Sequence, residues 1–399
     1  MDVWQFNYDL PKELIAQSPL PHRDESRLMV VHRSTKEFEH RRFSDLPSYL
    51  RAGDVLVLND SKVIQARLWA IKPKTGGVAE ILLLENIGKG RWRALVRPAK
   101  RVRAGTKLVL VSRHTAAALD TAISKHSIPY KAQPGDLQEN PTVTVLAREE
   151  AGRYLVDFGE TCDPEIVLSN YGEVPLPPYI ERKGPPSPED QERYQTVYAR
   201  KPGSVAAPTA GLHFTESLLE RLKHAGVEIH FVTLHIGLGT FAPVTTSKVE
   251  NHVLHEEFFE LPQTTADAVN SAKREGRRIV SVGTTVTRVL ESVAAHTYQK
   301  VESHDAIPPG APSLQAGEKG FVHGCRGRTR LFIYPPYTFR VVDVLLTNFH
   351  LPKSTLLMLV CAFADPGGLT GRDLILKCYS EAVSKSYRFY SYGDAMLLL

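Results

Sequence analysis

Cysteine is scarce in this 399-residue chain: Cys162, Cys325, Cys361 and Cys378 are the only four, and none falls in a CxxC or Cys/His ligand spacing. That spacing argues against a structural zinc site and against a disulfide framework, and it suits a reducing cytosol. Long apolar runs are also missing. The longest, Leu356 to Ala364, has nine residues, where a membrane span needs about twenty. Asp2, Pro11, Lys12 and Glu13 interrupt the first sixteen residues, so no signal peptide is expected. No solenoid-period repeat and no heptad seam is visible, which leans the chain toward a monomer.

Negative charge is the third scarcity, and it is local. Between Ser61 and Val111 only Glu80 and Glu85 stand against twelve Lys or Arg, so the segment carries +10 in a chain whose total is +5. The remainder therefore sums to −5. Such concentration points to a polyanion, most simply a nucleic acid, as partner of this segment. The cations include Arg91, Arg93, Arg97, Lys100, Arg101 and Arg103. With Trp69 and Trp92 as the only stacking rings nearby, tracking of the phosphate backbone is favoured over base readout.

What is present divides the chain. The length exceeds the roughly 250–300 residues at which single cores stop growing, so two domains are the default. From Ala66 to Gly159, short β-like runs (66–71, 78–85, 91–97, 107–111, 142–147 and 154–158) are punctuated by Gly76-Gly77, Gly88-Lys89-Gly90 and Gly105. They predict a small all-β barrel or sandwich. Period two over Arg91–Arg97 puts Trp92, Ala94 and Val96 on one face and Arg91, Arg93 and Arg97 on the other.

Elsewhere strand-like runs (55–58, 205–207, 228–235, 278–282, 331–334, 341–347) alternate with helical ones (215–225, 265–275, 284–295, 354–364, 373–384), as parallel strands with crossover helices do. The expected fold is α/β: a barrel-like α/β main domain over residues 1–62 and 160–399, with a basic β-barrel inserted at 63–159. Two polar stretches, 114–140 and 297–326, read as surface excursions.

In an α/β domain, ligands gather at the carboxyl ends of strands and the N-termini of the following helices. Three segments place polar residues there: Val205–Thr215, with Thr209 and His213; Gly283-Thr284-Thr285; and Thr347–Thr355, with Asn348 and His350. A fourth, His235–Val244, holds a GxG without the third glycine or a following helix, which suits a tight turn better than a dinucleotide site. His252, His255, Glu256 and Glu257 follow. That arrangement favours proton transfer over metal binding, with a solvated loop as the alternative.

Read in order, Phe6–Pro11, Ile15–Gln17, Ser26–Met29, Asn59–Ile64, Gly172–Ile180, Tyr194–Ala199, Val205–Thr215, Thr347–Leu356 and Tyr387–Met396 resemble the S-adenosylmethionine:tRNA ribosyltransferase-isomerase family of queuosine biosynthesis. Departures are the two longer excursions, Leu254 and Glu256 in place of Met and Ser, and Val286-Thr287 in place of Ser-Val. The resemblance implies that the ribosyl portion of S-adenosylmethionine is transferred to 7-aminomethyl-7-deazaguanine at the tRNA wobble position. Adenine and methionine leave, epoxyqueuosine is formed, and no metal is needed.

Under that reading His213, His255 and Glu257 are expected to move protons, and Asp60 to meet the aminomethyl group or the deazaguanine edge. Thr209, Thr284, Thr285, Asn348 and His350 are expected to position the methionine carboxylate and ribose. Tyr387, Tyr390 and Tyr392 are candidates to face the sulfonium, although period two would separate Tyr387 from the other two. The competing readings are a non-catalytic tRNA-binding protein and an S-adenosylmethionine-dependent tRNA methyltransferase.

Overall fold

A computed structural model of the chain describes residues 1–99, 102–111, 140–160, 162–182, 185–237, 244–301 and 320–399. Contacts divide it into two compact units. Met1–Ser61, Gln195–Lys201 and Ala207–Leu399 form one, and Lys62–Tyr194 with Pro202–Ala206 form the other.

The first unit is an α/β body on a ten-stranded mixed sheet. Its N-terminal strands are β1 (Arg27–His32), β2 (Glu37–Arg42) and β3 (Val55–Asn59), whereas the two-stranded ribbon of β4 (Ser61–Val63) and β11 (Lys201–Ser204) falls mostly in the second unit. The remaining body strands are β12 (Glu228–Leu234), β13 (Glu257–Leu261), β14 (Ile279–Val282), β15 (Tyr298–Lys300), β16 (Cys325–Thr329), β17 (Val344–Asn348) and β18 (Ala395–Leu398). Four of them, in the order β12-β3-β14-β17, run parallel at the centre. Every residue of β3, β14 and β17 is buried, the signature of parallel strands covered on both faces.

Helices α1 (Pro164–Tyr171) and α2 (Pro188–Arg193) precede the crossovers of the body. Those crossovers use α3 (Glu216–His224), α4 (Gln263–Arg274), α5 (Thr284–Ala294), α6 (Thr355–Ala364) and α7 (Gly371–Ser384). Thr215 caps α3 by accepting from the Leu218 N–H at 3.1 Å, and Ser354 caps α6 by accepting from Leu357 at 3.2 Å, each satisfying a donor the helix cannot. Leu218, Leu219 and Leu222 of α3 then pack with Leu56, Leu58, Val280 and Leu346 in one core.

The second unit contains the closed barrel, in the order β10-β7-β6-β5-β8-β9. Its strands are β5 (Arg67–Ile71), β6 (Val78–Gly88), β7 (Arg91–Arg97), β8 (Lys107–Leu110), β9 (Thr142–Arg148) and β10 (Arg153–Asp157). All six sit where the alternation and the glycines put them. Gly90, at φ +72°, closes the β6–β7 hairpin, and a Cβ there would lie 2.3 Å from the Gly159 carbonyl oxygen. Glycine is therefore required twice over.

Some expectations differ from what is seen. Residues 160–194, expected in the α/β body, belong with the barrel unit. Glu173 exchanges backbone hydrogen bonds with Arg67 (2.8 and 3.1 Å) and accepts the Trp69 indole N–H at 3.3 Å. The run 205–207 is not a strand, since β11 ends at Ser204, and 331–334 forms none either. The second excursion ends in paired strands, β15 and β16. Its middle, most of the first excursion, and the glycines at 237–239 beyond Gly237 lie outside the described residues. No helix of the described residues is long and apolar enough to cross a membrane.

Candidate active site

Because β12, β3, β14 and β17 are parallel neighbours, the residues that follow them emerge along one edge of the sheet: His235, Asp60, Gly283-Thr284-Thr285 and Asn348–His350. Side-chain contacts tie these ends together. Asn59 donates to the Leu234 carbonyl at 3.1 Å and to Thr285 Oγ1 at 3.4 Å, joining the ends of β12, β3 and β14. Gly283, at φ +89°, enters α5 and sits so close that a Cβ on it would be 3.6 Å from Ala210. Ala210 belongs to the short 3₁₀ turn Thr209–His213, which packs on β17. The three polar segments singled out above thus meet at one edge.

His213 is the most unusual group there. It is buried, stacked on Phe43 with ring centroids 4.9 Å apart, and fixed by Ser26, whose Oγ lies 2.7 Å from Nδ1. Its Nε2 and Oδ1 of the neighbouring Asn348 are buried and meet no other group within full hydrogen-bond geometry among the described residues, and the Asn348 side chain acts on the imidazole as a hydrogen-bonding neighbour. Burial pulls the imidazole pKa down to about 4, against a smaller opposing pull from Asn348. At neutral pH the ring is uncharged, held by Ser26 at Nδ1 and acted on by the Asn348 side chain.

His350 is held differently. Thr347 Oγ1 lies 2.8 Å from its Nε2, its N–H donates to Tyr379 Oη at 3.0 Å, and its carbonyl accepts from Tyr8. Burial brings its pKa to about 3. Asn348 donates to the Tyr390 carbonyl at 2.9 Å. Tyr390 adopts φ +73°, a left-handed conformation rare for a tyrosine and of the kind that accumulates at functional sites. Tyr387 is engaged elsewhere, its hydroxyl 2.7 Å from His40 Nδ1 and its ring 4.1 Å from the Arg27 guanidinium carbon. Tyr387, Tyr390 and Tyr392 are not successive positions of a strand.

Asp60 is a buried carboxylate held at both oxygens. Thr233 donates to Oδ1 at 2.6 Å and Arg200 to Oδ2 at 3.1 Å, while the Arg200 guanidinium lies 4.3 Å from the Phe231 ring centroid. His235 is close enough for the Asp60 charge to oppose the depression of its pKa, which burial dominates.

Glu257 opens β13 at the same edge, because β13 runs antiparallel to β12. Both its oxygens are engaged: Oε1 accepts from the Gly237 N–H at 3.2 Å, and Oε2 pairs with Arg288. His255 is exposed and lines a shallow cleft with Leu254, Glu257, Arg288, Phe332 and Leu356. Glu256 pairs with Arg330 at 3.0 Å. Among the described residues no three or more His, Cys, Asp or Glu gather so as to hold a metal ion.

Sequence reasoning missed Arg288, which is buried within α5. An arginine on a helix reads as a wetted face, and only its position one turn after Thr284-Thr285 hinted otherwise.

In the barrel unit, Trp92, Ala94 and Val96 point inward and Arg91 and Arg97 are exposed, as is Arg103. Arg93 is half-buried between Glu85 (2.9 Å) and Glu149 (3.1 Å), so its charge is already matched inside the barrel wall. Lys100 and Arg101 lie outside the described residues.

Residues 3–398 match the family model described as queuosine biosynthesis protein. A Thermus thermophilus protein named S-adenosylmethionine:tRNA ribosyltransferase-isomerase is 50% identical over 397 residues, covering 99% of this chain and 98% of its own. One of the same name from Halothermothrix orenii is 44% identical over 400 residues, with both chains fully covered. A crystal structure of S-adenosylmethionine tRNA ribosyltransferase from Thermotoga maritima is 36% identical, covers 99% of this chain and 100% of its own, and has a TM-score of 0.49. With a family model spanning nearly every residue and full-length relatives at this identity, the chain belongs to the queuosine biosynthesis protein family.

Proposed function

We propose that this chain is an S-adenosylmethionine:tRNA ribosyltransferase-isomerase. It transfers and isomerises the ribosyl moiety of S-adenosylmethionine onto 7-aminomethyl-7-deazaguanine at the tRNA wobble position, giving epoxyqueuosine-tRNA and releasing adenine and methionine. The observation that carries the chemistry is His213: an uncharged imidazole, clamped by Ser26 and Phe43 and neighboured by Asn348, at the edge where the central strands end.

A sulfonium acidifies the hydrogens on the adjacent ribose carbon, so a base can begin opening the ring. His213 supplies that base. Burial keeps the ring unprotonated at neutral pH while lowering its basicity, and its fixed orientation removes the cost of aligning it. Asn348, beside it, binds the ribose hydroxyls through Oδ1. His255, exposed on the cleft, carries a proton to the departing adenine. Glu257 holds Arg288 in place and is not the proton carrier, because its ion pair is buried on both sides, whereas the Arg200 partner of Asp60 is exposed. Asp60 offers its carboxylate to the aminomethyl end of the base. Thr284 and Thr285 present the N-terminus of α5, and Thr209 the adjoining turn.

The exposed arginines of the barrel, Arg91, Arg97 and Arg103, meet tRNA phosphates. The reaction takes place in the cytoplasm, where the tRNA is, and a monomer performs it.

Replacing His213 with Gln tests this directly. Adenine release at saturating substrates should drop about 10²–10⁴-fold, the usual contribution of one general base, with tRNA affinity retained. Unchanged turnover would remove His213 from the mechanism. A non-catalytic RNA-binding protein would consume no S-adenosylmethionine, and a methyltransferase would leave S-adenosylhomocysteine.

A further inference from the structure

The cleft beside Glu257 has a built-in ligand contact that the chemistry above does not use. Arg288 is buried, and two of its three guanidinium nitrogens are committed: Nε donates to the Leu331 carbonyl at 2.9 Å and Nη1 pairs with Glu257. Nη2 is buried with no partner among the described residues. A guanidinium N–H shut off from both water and acceptors costs free energy that a native fold rarely leaves unrecovered. A bound anion recovers it.

The surroundings specify which anion. Around Arg288 the cleft is lined by Leu254, Leu331, Phe332, Ile333, Leu356 and Leu359, a predominantly apolar wall. Phosphate would bring two charges and several oxygens into a place with a single open nitrogen. The amino-acid end of a sulfonium amino acid fits both features, since its carboxylate meets Nη2, its α-ammonium points to the open mouth of the cleft and its two methylenes lie on leucine and phenylalanine. Ser354 already caps α6, and Thr355 at its first turn also lines the cleft, so the helix dipole adds to the preference for a single negative charge there.

We infer that Arg288 Nη2 binds the α-carboxylate of the methionine portion of S-adenosylmethionine, whose side chain occupies the apolar cleft. This rests on the proposed function and refines it, moving the carboxylate from the threonines and His350 to Arg288. Glu257 becomes a positioning residue that aims the guanidinium. No covalent step is involved.

The test compares S-adenosylmethionine with its decarboxylated analogue. Equilibrium dialysis with each labelled ligand is run in the presence of saturating tRNA that carries guanine in place of the precursor base, so no turnover intervenes. Wild-type protein should bind the decarboxylated form roughly 10- to 100-fold more weakly, the range for one charge-assisted hydrogen bond. In Arg288→Lys, which keeps the charge beside Glu257 but loses the fork, the two ligands should bind within about threefold of each other. Equal binding of both ligands by wild type overturns the assignment, and that arm needs no variant to fold. Persistence of the full discrimination in folded Arg288→Lys, judged by circular dichroism, overturns it as well. Adenine release by wild type from S-adenosylmethionine and precursor-bearing tRNA is followed in parallel. Its absence sinks the reaction, whereas adenine release at equal rates from both donors sinks only the role of Arg288.

Discussion

Lowering the pH from 7 to 5 should destabilise the α/β body through its buried histidines, and His350 gives the cleanest measure. Its folded pKa, about 3, lies below the unfolded value of about 6.5. Between those values the unfolded chain binds a proton that the native chain refuses, so stability falls as pH falls through that window. At pH 5 the unfolded histidine is almost fully protonated and the native one is not. With about 1.4 kcal/mol per pKa unit, the loss between pH 7 and 5 is about 2 kcal/mol for His350. His213, with a folded pKa of about 4, adds a similar amount over the same interval. The assay is urea denaturation at pH 7 and pH 5 of wild type and of His350→Gln, whose amide can keep the hydrogen bond to Thr347. The variant starts from a lower stability but should lose about 2 kcal/mol less on acidification. Identical losses in the two proteins would mean that His350 titrates normally in the fold, and the inference of buried, neutral imidazoles at this edge would fail with it.

Other outcomes follow from particular contacts. Replacing Arg91, Arg97 and Arg103 together by Ser should weaken tRNA binding and flatten its log–log salt dependence by about 2; an unchanged slope would clear the barrel of phosphate contact. Arg93→Ser, in contrast, breaks pairs with Glu85 and Glu149 and should leave that slope within about 0.3 of wild type, which filter binding over a salt series would reveal. Glu291 of α5 is buried and accepts from the backbone N–H groups of Arg340, Val341 and Val342 ahead of β17. Glu291→Ala strands those donors and should cost about 3 kcal/mol or more in denaturant unfolding. With His213 as base, kcat should vary little from pH 6 to 8 on its account, since its titration lies near pH 4; a His213-dependent acid limb centred near 6.5 would contradict the buried geometry.

The barrel was legible because its strands alternate strictly and its glycines fall at the turns, so Trp92, Ala94 and Val96 could be assigned inward before any coordinates. Of the central parallel strands, β3, β14 and β17 were legible as largely apolar runs, and β17 also by the Ser354-capped helix after it. β16 was not. Its sequence, Cys-Arg-Gly-Arg-Thr, has no strand signature, and it is a strand because β13 and β15 flank it on both sides. The boundary near residue 194 escaped because one backbone exchange between Arg67 and Glu173 ties the segment to the barrel, and such a tie leaves no trace in composition. At the site, strand-end logic singled out the segments that hold Thr209, His213, Thr284, Thr285, Asn348 and His350, whereas Asp60 was named only from the family resemblance. It gave no way to tell that His213 is buried between Ser26 and Phe43 while Glu257 is consumed by Arg288, since both facts arise only on packing.

The most direct measurement is the identity of what S-adenosylmethionine becomes. Wild-type protein, precursor-bearing tRNA and S-adenosylmethionine labelled in both the adenine and the methionine portions are incubated together, and the small products are separated. Free adenine and free methionine in equal amounts, with the ribosyl carbons retained on the tRNA, are the expected result. S-adenosylhomocysteine with a methylated tRNA, or intact S-adenosylmethionine beside tightly bound tRNA, would contradict it.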